Sequence, residues 1–205
     1  MTPPLVLAST SRWRAALLER LQLPFTQADP GLDEDPWKAR GLAPRQLVTQ
    51  LAVAKAQAVA AAHPGALVLG GDQVAVLGDT ILGKPGTEER ARAQLTAMAG
   101  REHQLVTGTA LLDGRDGTVR TAVEVHTMRL RALTAAQIHA YVARERPLDA
   151  CGSYYVESLG IALFERLEGT DFTAIVGLPL TQVVGLLAQA GVDVLTASRA
   201  PVDSD

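Results

Sequence analysis

Strand-like and helix-like segments alternate along most of this sequence, and few folds accommodate such a pattern. Residues 5–8 form a short apolar run, three hydroxyl residues follow, and a helical pattern continues through residues 17–21. A second helical pattern begins at Pro44 and reaches about residue 62, with apolar side chains along one face. Alternation of this kind is typical of α/β proteins, in which helices cover a central sheet. We therefore predict an α/β fold.

The other elements are predicted from apolar runs, turn residues and helix caps. Thr87 and Gly100 are typical of a helix start and end, and Thr134 with Gln137 is a candidate capping box. We predict helices over 44–62, 87–99, 134–144 and from Pro179 onward; strands over 5–8, 25–29, 66–71, 74–77, 80–82, 104–112, 119–130 and 161–164; and loops over 30–41 and 165–171. One domain is predicted over residues 1–195, followed by a flexible tail over 196–205.

The charge balance limits the possible partners. The 205 residues include 19 basic and 22 acidic side chains, a net charge of −3, whereas proteins that coat nucleic acids carry a basic excess. The longest apolar stretch, residues 174–192, is interrupted by Pro179, Gln182 and Gln189 and is not a predicted membrane span. The first residues also lack the basic region of a signal peptide. We predict a cytoplasmic protein with no nucleic-acid or membrane partner.

Lysine is rare in this chain, because only three of its 19 basic residues are lysines, namely Lys38, Lys55 and Lys84. An ammonium is a compact point charge and a guanidinium a planar fork, so the two bind phosphate differently. Lys55 lies within the predicted helix over 44–62, and Lys84 lies in a stiff turn between Gly83 and Pro85. Lys38 lies in the acidic loop, and we predict no functional role for it.

Hydroxyl and guanidinium groups are concentrated at the first strand-to-helix turn, from Ser9 to Arg14. The free backbone N–H groups of a helix start, together with Arg14, are suited to binding an anion such as phosphate. Alternatively, Ser9 and Ser11 only cap the helix and the arginines are solvated. The turn by itself does not decide between these two interpretations.

Carboxylates and lysines follow later in the chain. Asp72 comes after two glycines, at the predicted end of an apolar strand, where a side chain is well positioned. Glu34 belongs to an acidic triplet in the loop over 30–41. Two carboxylates and the cations Arg14, Lys55 and Lys84 match the needs of a metal polyphosphate, in which hard oxygen ligands hold Mg²⁺ or Mn²⁺.

Several motifs together resemble the Maf family of nucleoside triphosphate pyrophosphatases. They are LVLASTSRWRAALLERLQLPF from Leu5, the DE of Asp33 and Glu34, LAVAKA around Lys55, GGDQV, GKP, and GSYYVESLGIALFERLEGTDFTAIVGLPL from Gly152. The resemblance implies a single Maf/ITPase-like domain with a central mixed twisted sheet flanked by helices, and two lobes around a cleft. It also implies a metal-dependent enzyme that cuts a nucleoside triphosphate between the α and β phosphates.

The resemblance also implies roles for individual residues. Asp72 is expected to act as the general base and to share the metal, Mg²⁺ or Mn²⁺, with Glu34. Arg14, Lys55 and Lys84 are expected to stabilise charge on the phosphates, and Ser9 to contribute to binding them. The family usually has a proline after the serine of this first motif, where this chain has Arg12, which leaves the local turn geometry open.

Three positions resemble the subgroup of the family that hydrolyses 7-methyl-GTP, namely Trp13, Gln73 and Glu157. An indole face suits the cationic 7-methylguanine ring, and a carboxylate suits the N1–H and exocyclic amine of guanine. A dTTP or UTP pyrophosphatase is the second hypothesis, and a nucleotide-binding regulator of septum formation is the third. A protein that only binds nucleotides has no need of both carboxylates, so the third is disfavoured. A homodimer is expected from the resemblance alone.

Overall fold

The computed structural model describes residues 3–197, and these residues form one seven-stranded sheet with helices around it. The strands are β1 (Leu5–Ala8), β2 (Phe25–Ala28), β3 (Leu67–Leu77), β4 (Thr80–Leu82), β5 (Glu102–Asp113), β6 (Val119–Leu130) and β7 (Phe164–Glu168). Their order is β2-β1-β3-β5-β6-β7, with β4 paired to β3. Parallel and antiparallel pairs both occur, which confirms the predicted mixed sheet.

The described part of the chain contains seven α-helices. They are α1 (Arg12–Glu19), α2 (Asp35–Lys38), α3 (Pro44–Ala60), α4 (Glu88–Met98), α5 (Ala135–Glu145), α6 (Thr173–Val176) and α7 (Leu180–Gln189). The predicted caps are confirmed, because Thr87 caps α4 and Thr134 forms a capping box with Gln137 at the start of α5. No helix within residues 3–197 is long and apolar enough to cross a membrane.

The chain divides into two compact units. Among the described residues, the first unit comprises 3–72, 107–123 and 177–197. Within it, β1 lies between β2 and β3 and is parallel to both. Apolar side chains of β1, α3 and β3 form one of its core clusters, which includes Val6, Ala56 and Val68.

The second unit comprises residues 73–106 and 124–176. Its core contains Leu95 and Met98 of α4, Met128 of β6, and Ile138 and Tyr141 of α5. The hairpin of β3 with β4 belongs to this unit, and its antiparallel register confirms the predicted hairpin around the turn at residues 78–79. The predicted flexible tail over 196–205 stays a prediction, because residues 198–205 lie outside the described part.

Three predicted elements are wrong. Asp72 does not end a strand, because β3 continues through it to Leu77. Residues 159–163 form a 3₁₀ helix where we predicted a strand, and the strand β7 follows in the predicted loop. The loop over 30–41 contains the short helix α2, with Glu34 at its N-cap.

A buried histidine in the second unit makes stability depend on pH. His103 is 3% exposed, and its Nε2 lies 2.8 Å from the Tyr154 hydroxyl. Burial lowers the pKa of His103 from its ordinary value of 6.5 to about 4. Between these two values the unfolded chain binds a proton that the folded chain does not, so stability is lost as the pH falls through this range.

We therefore expect His103 to account for a loss of about 2 kcal/mol in the free energy of unfolding between pH 7 and pH 5. Urea unfolding at the two pH values measures this loss, and His103→Gln should reduce it. His126 is a second histidine of the same unit whose pKa is lowered by burial. The variant His126→Gln therefore serves as the comparison, because it measures how much of the loss a different buried histidine contributes. An equal pH dependence for wild type and His103→Gln would contradict the prediction.

Candidate active site

Two carboxylates converge on one buried ammonium in the first unit. The Lys55 Nζ lies 2.6 Å from the Asp72 Oδ1 and 2.7 Å from the Glu34 Oε1. Lys55 projects from α3, Asp72 from β3, and Glu34 from the N-cap of α2. Asp72 is 6% exposed and Lys55 is 8% exposed, so water screens their interaction little. Three of the predicted catalytic residues thus form one cluster, the Glu34–Lys55–Asp72 cluster.

Close packing of α3 on β3 brings Lys55 to Asp72. Gly70 allows this approach, since a Cβ at that position would lie 2.1 Å from the Ala52 carbonyl oxygen of α3. Gly108 of β5 has the same role one strand away, because a Cβ there would lie 2.7 Å from the Val48 carbonyl oxygen. Glycine without a side chain is therefore required where the helix backbone contacts the sheet.

The environment separates the acidities of the two carboxylates. Burial raises the pKa of Asp72 and outweighs the opposing effects of Lys55 and Arg14. Burial also acts to raise the pKa of Glu34, but hydrogen bonds and charge attraction from Lys55 and Lys38 lower it to about 2. A carboxylate with a raised pKa is a better proton acceptor, whereas one with a low pKa remains an anionic ligand. This difference suits Asp72 to base catalysis and Glu34 to binding a cation.

Lys38 lies beside this cluster, although the prediction that it has no functional role stays untested. Its Nζ lies 2.9 Å from the Glu34 Oε2, while Lys55 holds the other oxygen of the same carboxylate. Glu34 and Lys38 are four residues apart, the spacing that pairs side chains on a helix. This spacing carries no signal when residues 30–41 are predicted as a loop, because it pairs side chains only on a helix such as α2.

Lys38→Met is expected to raise the pKa of Glu34 above about 2, because it removes one of the two ammonium groups on that carboxylate. Carbon-13 NMR titration of the glutamate carboxyl carbons in metal-free protein measures this change. Lys84→Met removes the same charge from the other unit and is the matched control. A Glu34 pKa that is the same in wild type and Lys38→Met would show that Lys38 does not lower the pKa of this carboxylate.

Arg14 and Ser9 lie at the carboxyl end of β1. The Arg14 Nε donates to the Gly177 carbonyl at 2.9 Å, and its Nη1 donates to the Ser9 Oγ at 3.4 Å. Ser11 caps α1, since its hydroxyl accepts from the Arg14 backbone N–H. The turn therefore caps the helix, and hydrogen bonds hold the Arg14 side chain, whereas its binding of an anion stays a prediction. Arg14 also exerts its charge on Asp72.

Trp13 lies in the first turn of α1 and is half-buried. It does not belong to the fully buried core of the described residues, so part of its surface is exposed to solvent. The guanidinium carbon of Arg12 lies 4.4 Å from the centre of the Trp13 ring. Arg12 begins α1 without disturbing it, which answers the question raised by the missing proline.

The remaining predicted site residues belong to the second unit. The Gln73 side chain donates to the backbone carbonyls of Ala174 at 2.7 Å and Ile175 at 3.3 Å. Lys84 is exposed in the turn after β4, and Glu157 is half-buried in the segment before β7. The functional roles of these three residues stay predictions.

Comparison with known proteins gives the family. Residues 4–190 match the family model described as Maf-like protein. The chain belongs to the Maf family.

Curated relatives match this Maf chain over nearly its whole length. A protein of Thiobacillus denitrificans is 50% identical over 195 residues, which are 95% of this chain and 96% of the relative. A protein of Pseudomonas putida is 46% identical over 92% of this chain and 97% of its own length. A protein of Bordetella pertussis is 48% identical over 97% of this chain and 98% of its own length. All three relatives are named 7-methyl-GTP pyrophosphatase.

The donor set of this Maf chain fits a divalent cation that is shared with a phosphorylated ligand. Glu34 and Asp72 direct carboxylate oxygens at one cationic group, Lys55. Within residues 3–197, no group of three or more His, Cys, Asp or Glu side chains forms a cage for a metal ion. Mg²⁺ is commonly held by one or two carboxylates, with water and substrate phosphates completing its coordination. The two carboxylates match that arrangement.

Gly177 is a part of the site that the sequence analysis did not single out. Its φ of 121° is in the region that favours glycine, and its carbonyl fixes the Arg14 side chain. Gly177 lies within the motif IVGLPL, which contributed to the resemblance. The available signal was therefore a glycine in a family motif, with no chemistry of its own to reveal the role.

Proposed function

We propose that this Maf chain is a nucleoside triphosphate pyrophosphatase that hydrolyses 7-methyl-GTP to 7-methyl-GMP and pyrophosphate. The observation that carries the proposal is the Glu34–Lys55–Asp72 cluster, in which two carboxylates of different acidity meet a buried ammonium. The names of the curated relatives support the choice of substrate. A protein that only bound a nucleotide would gain nothing from a buried carboxylate of raised basicity.

Asp72 is the base of the reaction. Its carboxylate takes a proton from a water molecule as the water oxygen forms a bond to the α-phosphorus. The bond from the α-phosphorus to the bridging oxygen breaks, and pyrophosphate leaves with the electron pair of that bond. The products are therefore the nucleoside monophosphate and pyrophosphate, and the proton initially resides on Asp72.

Positively charged side chains in and near the Glu34–Lys55–Asp72 cluster offset the negative charge of the phosphates. Arg14 is held by Ser9 and the Gly177 carbonyl, so little reorganisation is needed when a phosphate binds. The Lys55 ammonium carries three donors, and it can turn from the carboxylates toward phosphoryl oxygens. Glu34 and Asp72 would hold a divalent cation, Mg²⁺ or Mn²⁺, which neutralises phosphate charge and makes bound water more acidic. Lys84 is proposed as a further phosphate ligand, by resemblance to the family.

Base recognition is assigned to Trp13, Gln73 and Glu157. The methylated guanine ring is cationic, and the indole of Trp13 attracts such a ring over its face. The carboxylate of Glu157 accepts from the N1–H and the exocyclic amine of guanine, which a pyrimidine cannot supply in the same arrangement. If a bound base covers the Glu157 carboxylate without supplying these donors, the wrong base is disfavoured by about 1–3 kcal/mol.

Product analysis tests the reaction and its substrate. Pyrophosphate release is measured with 7-methyl-GTP, GTP, dTTP and UTP, in the presence of Mg²⁺ or Mn²⁺. We expect the highest kcat/KM for 7-methyl-GTP. Hydrolysis in ¹⁸O-labelled water should place the label in the monophosphate, because water attacks the α-phosphorus. Release of inorganic phosphate and a diphosphate would reject the proposed reaction, and a higher kcat/KM for dTTP or UTP would reject the proposed substrate.

Glu157→Gln is expected to lower kcat/KM for 7-methyl-GTP about 10- to 100-fold, because one amide cannot accept both guanine donors. The kcat/KM for UTP should change less than threefold, since that base does not use the carboxylate. Steady-state kinetics with the two substrates measure the change. An equal loss for both substrates would place Glu157 outside base recognition.

Two further expectations stay predictions. A cytoplasmic location is inferred from the sequence and the family resemblance, and a homodimer is inferred from the family resemblance alone. Fractionation of cells and light scattering of the purified protein test them.

A further inference from the structure

The segment that carries Glu157 is attached to one face of α5. The Tyr155 backbone N–H donates to the Tyr141 hydroxyl at 3.0 Å, and the Ser158 hydroxyl donates to the Glu145 carboxylate. Tyr141 and Glu145 are one helical turn apart on α5, so they lie on the same face. Glu157 is thus flanked by two side-chain links to a single rigid helix.

Core packing supports the same segment. Tyr154 and Val156 are both 5% exposed and belong to the apolar core of the second unit. The neighbouring Tyr155 and Glu157 are more exposed, and residues 156–158 form a turn in which the Ser158 backbone N–H donates to the Tyr155 carbonyl at 3.3 Å. The segment therefore has apolar anchors before Glu157 and a polar link immediately after it.

The Glu157 carboxylate acts electrostatically on Tyr141 and Tyr155. Burial raises the pKa of Tyr141 well above its usual range, and the carboxylates of Glu145 and Glu157 add to the rise. Burial and the hydrogen bond to Asp149 raise the pKa of the Tyr155 phenol, and the charge of Glu157 adds to this rise.

Glu145 is an unfavourable residue for its position in the helix. It is the last residue of α5, where the carbonyl end of the helix dipole repels a negative charge. Its carboxylate is half-buried and accepts the hydrogen bond from Ser158. A residue that costs helix stability but holds a loop is expected where the loop has a function.

We propose that Ser158 and Glu145 are positioning residues that fix the orientation of the Glu157 carboxylate for recognition of the base. This inference rests on the proposed function, because it assigns Glu157 to the guanine edge. The link between the Ser158 hydroxyl and Glu145 restrains the backbone directly after Glu157, and it restricts the carboxylate to orientations that meet two donors at once. Pre-organisation of this kind lowers the entropy lost on binding and strengthens discrimination.

Ser158→Ala removes the link and should raise KM for 7-methyl-GTP about 10-fold, with kcat changed less than twofold. The kinetic constants for UTP should be unaffected. Glu145→Gln keeps a hydrogen-bond acceptor but loses the charge, so it should raise KM for 7-methyl-GTP less than Glu145→Ala does. Ser158→Thr keeps the hydroxyl and should behave like wild type. Ser153→Ala is the matched control, because it removes the hydroxyl donor of Ser153 to Gln94 in the same segment. It should lower the melting temperature without changing the preference for 7-methyl-GTP.

A double-mutant cycle decides whether Ser158 acts through Glu157. If it does, Ser158→Ala combined with Glu157→Gln will discriminate no less than Glu157→Gln alone. Effects that multiply would overturn the proposal, as would a Ser153→Ala variant that loses the preference to the same extent. If Glu157→Gln alone leaves the preference intact, base recognition by Glu157 is wrong and the positioning role is overturned with it. If Glu157→Gln abolishes the preference and Ser158→Ala does not, only the positioning role is overturned.

Discussion

Asp72→Asn should lower kcat for pyrophosphate release about 1000-fold, within the range that a positioned general base contributes. The amide has nearly the same shape as the carboxylate but cannot accept the proton of the attacking water. It also removes one of the two anionic partners of Lys55, although Glu34 remains 2.7 Å from that ammonium. Steady-state kinetics at saturating 7-methyl-GTP measure the loss, and thermal unfolding shows whether the variant is folded.

Asp113→Asn provides a matched control within the first unit. Asp113 is 2% exposed and forms an ion pair of 2.6 Å with the half-exposed Arg115, so its replacement also removes the charge of a buried, ion-paired carboxylate. We expect Asp113→Asn to lose stability but keep kcat within about twofold. Rapid turnover by Asp72→Asn, within tenfold of wild type, would show that Asp72 is not the base.

Gly70→Ala should lower the free energy of unfolding by about 3 kcal/mol, the upper part of the range for overpacked sites. The added methyl group would meet the backbone of α3, with the Ala52 carbonyl oxygen at 2.1 Å and the Ala56 nitrogen at 3.0 Å. Backbone atoms cannot rotate aside as a flexible side chain can, so α3 must move away from β3. That displacement separates Lys55 from Asp72, and kcat should fall together with stability.

The adjacent glycine is a matched control for this substitution. A Cβ at Gly71 would lie 3.6 Å from the nearest atoms, the Arg14 Nε and the Gly108 carbonyl oxygen, which is ordinary packing distance. Urea unfolding should therefore place Gly71→Ala within about 1 kcal/mol of wild type. Equal stability of the two variants would mean that close approach of α3 is not what requires glycine at position 70.

Local sequence signals predicted the elements whose ends are marked by caps and turns. The helices that begin at Thr87 and Thr134 and the hairpin of β3 with β4 are confirmed. The strand β3 was divided wrongly, because Gly-Gly-Asp has low strand propensity and only its pairing within the sheet keeps it extended. Residues 159–163 form a 3₁₀ helix where a strand is predicted. The apolar run from Ile161 to Phe164 is too short for its pattern to distinguish a strand from a helix.

The chemistry of the site was easier to predict than its connections. Glu34, Lys55 and Asp72 are predicted to serve one function. In the structure the Lys55 Nζ lies 2.7 Å from the Glu34 Oε1 and 2.6 Å from the Asp72 Oδ1. The contact of Lys38 with Glu34 depends on α2, a four-residue helix that is too short to show a periodic pattern in the sequence. The contact of Arg14 with Gly177 joins residues 163 positions apart, and no local pattern reveals such a distant pair.

The matched register of β1 and β3 limits how this protein can change in evolution. Ala8 is paired with Gly70, and the ladder runs from Leu5 with Leu67 without interruption. Inserting or deleting one residue between Leu67 and Gly70 would turn Asp72 to the opposite face of the sheet, because side chains alternate with a period of two. Length changes in descendants that keep the activity should therefore accumulate in the turns before these strands, such as residues 61–66, and should be absent from the paired segments themselves.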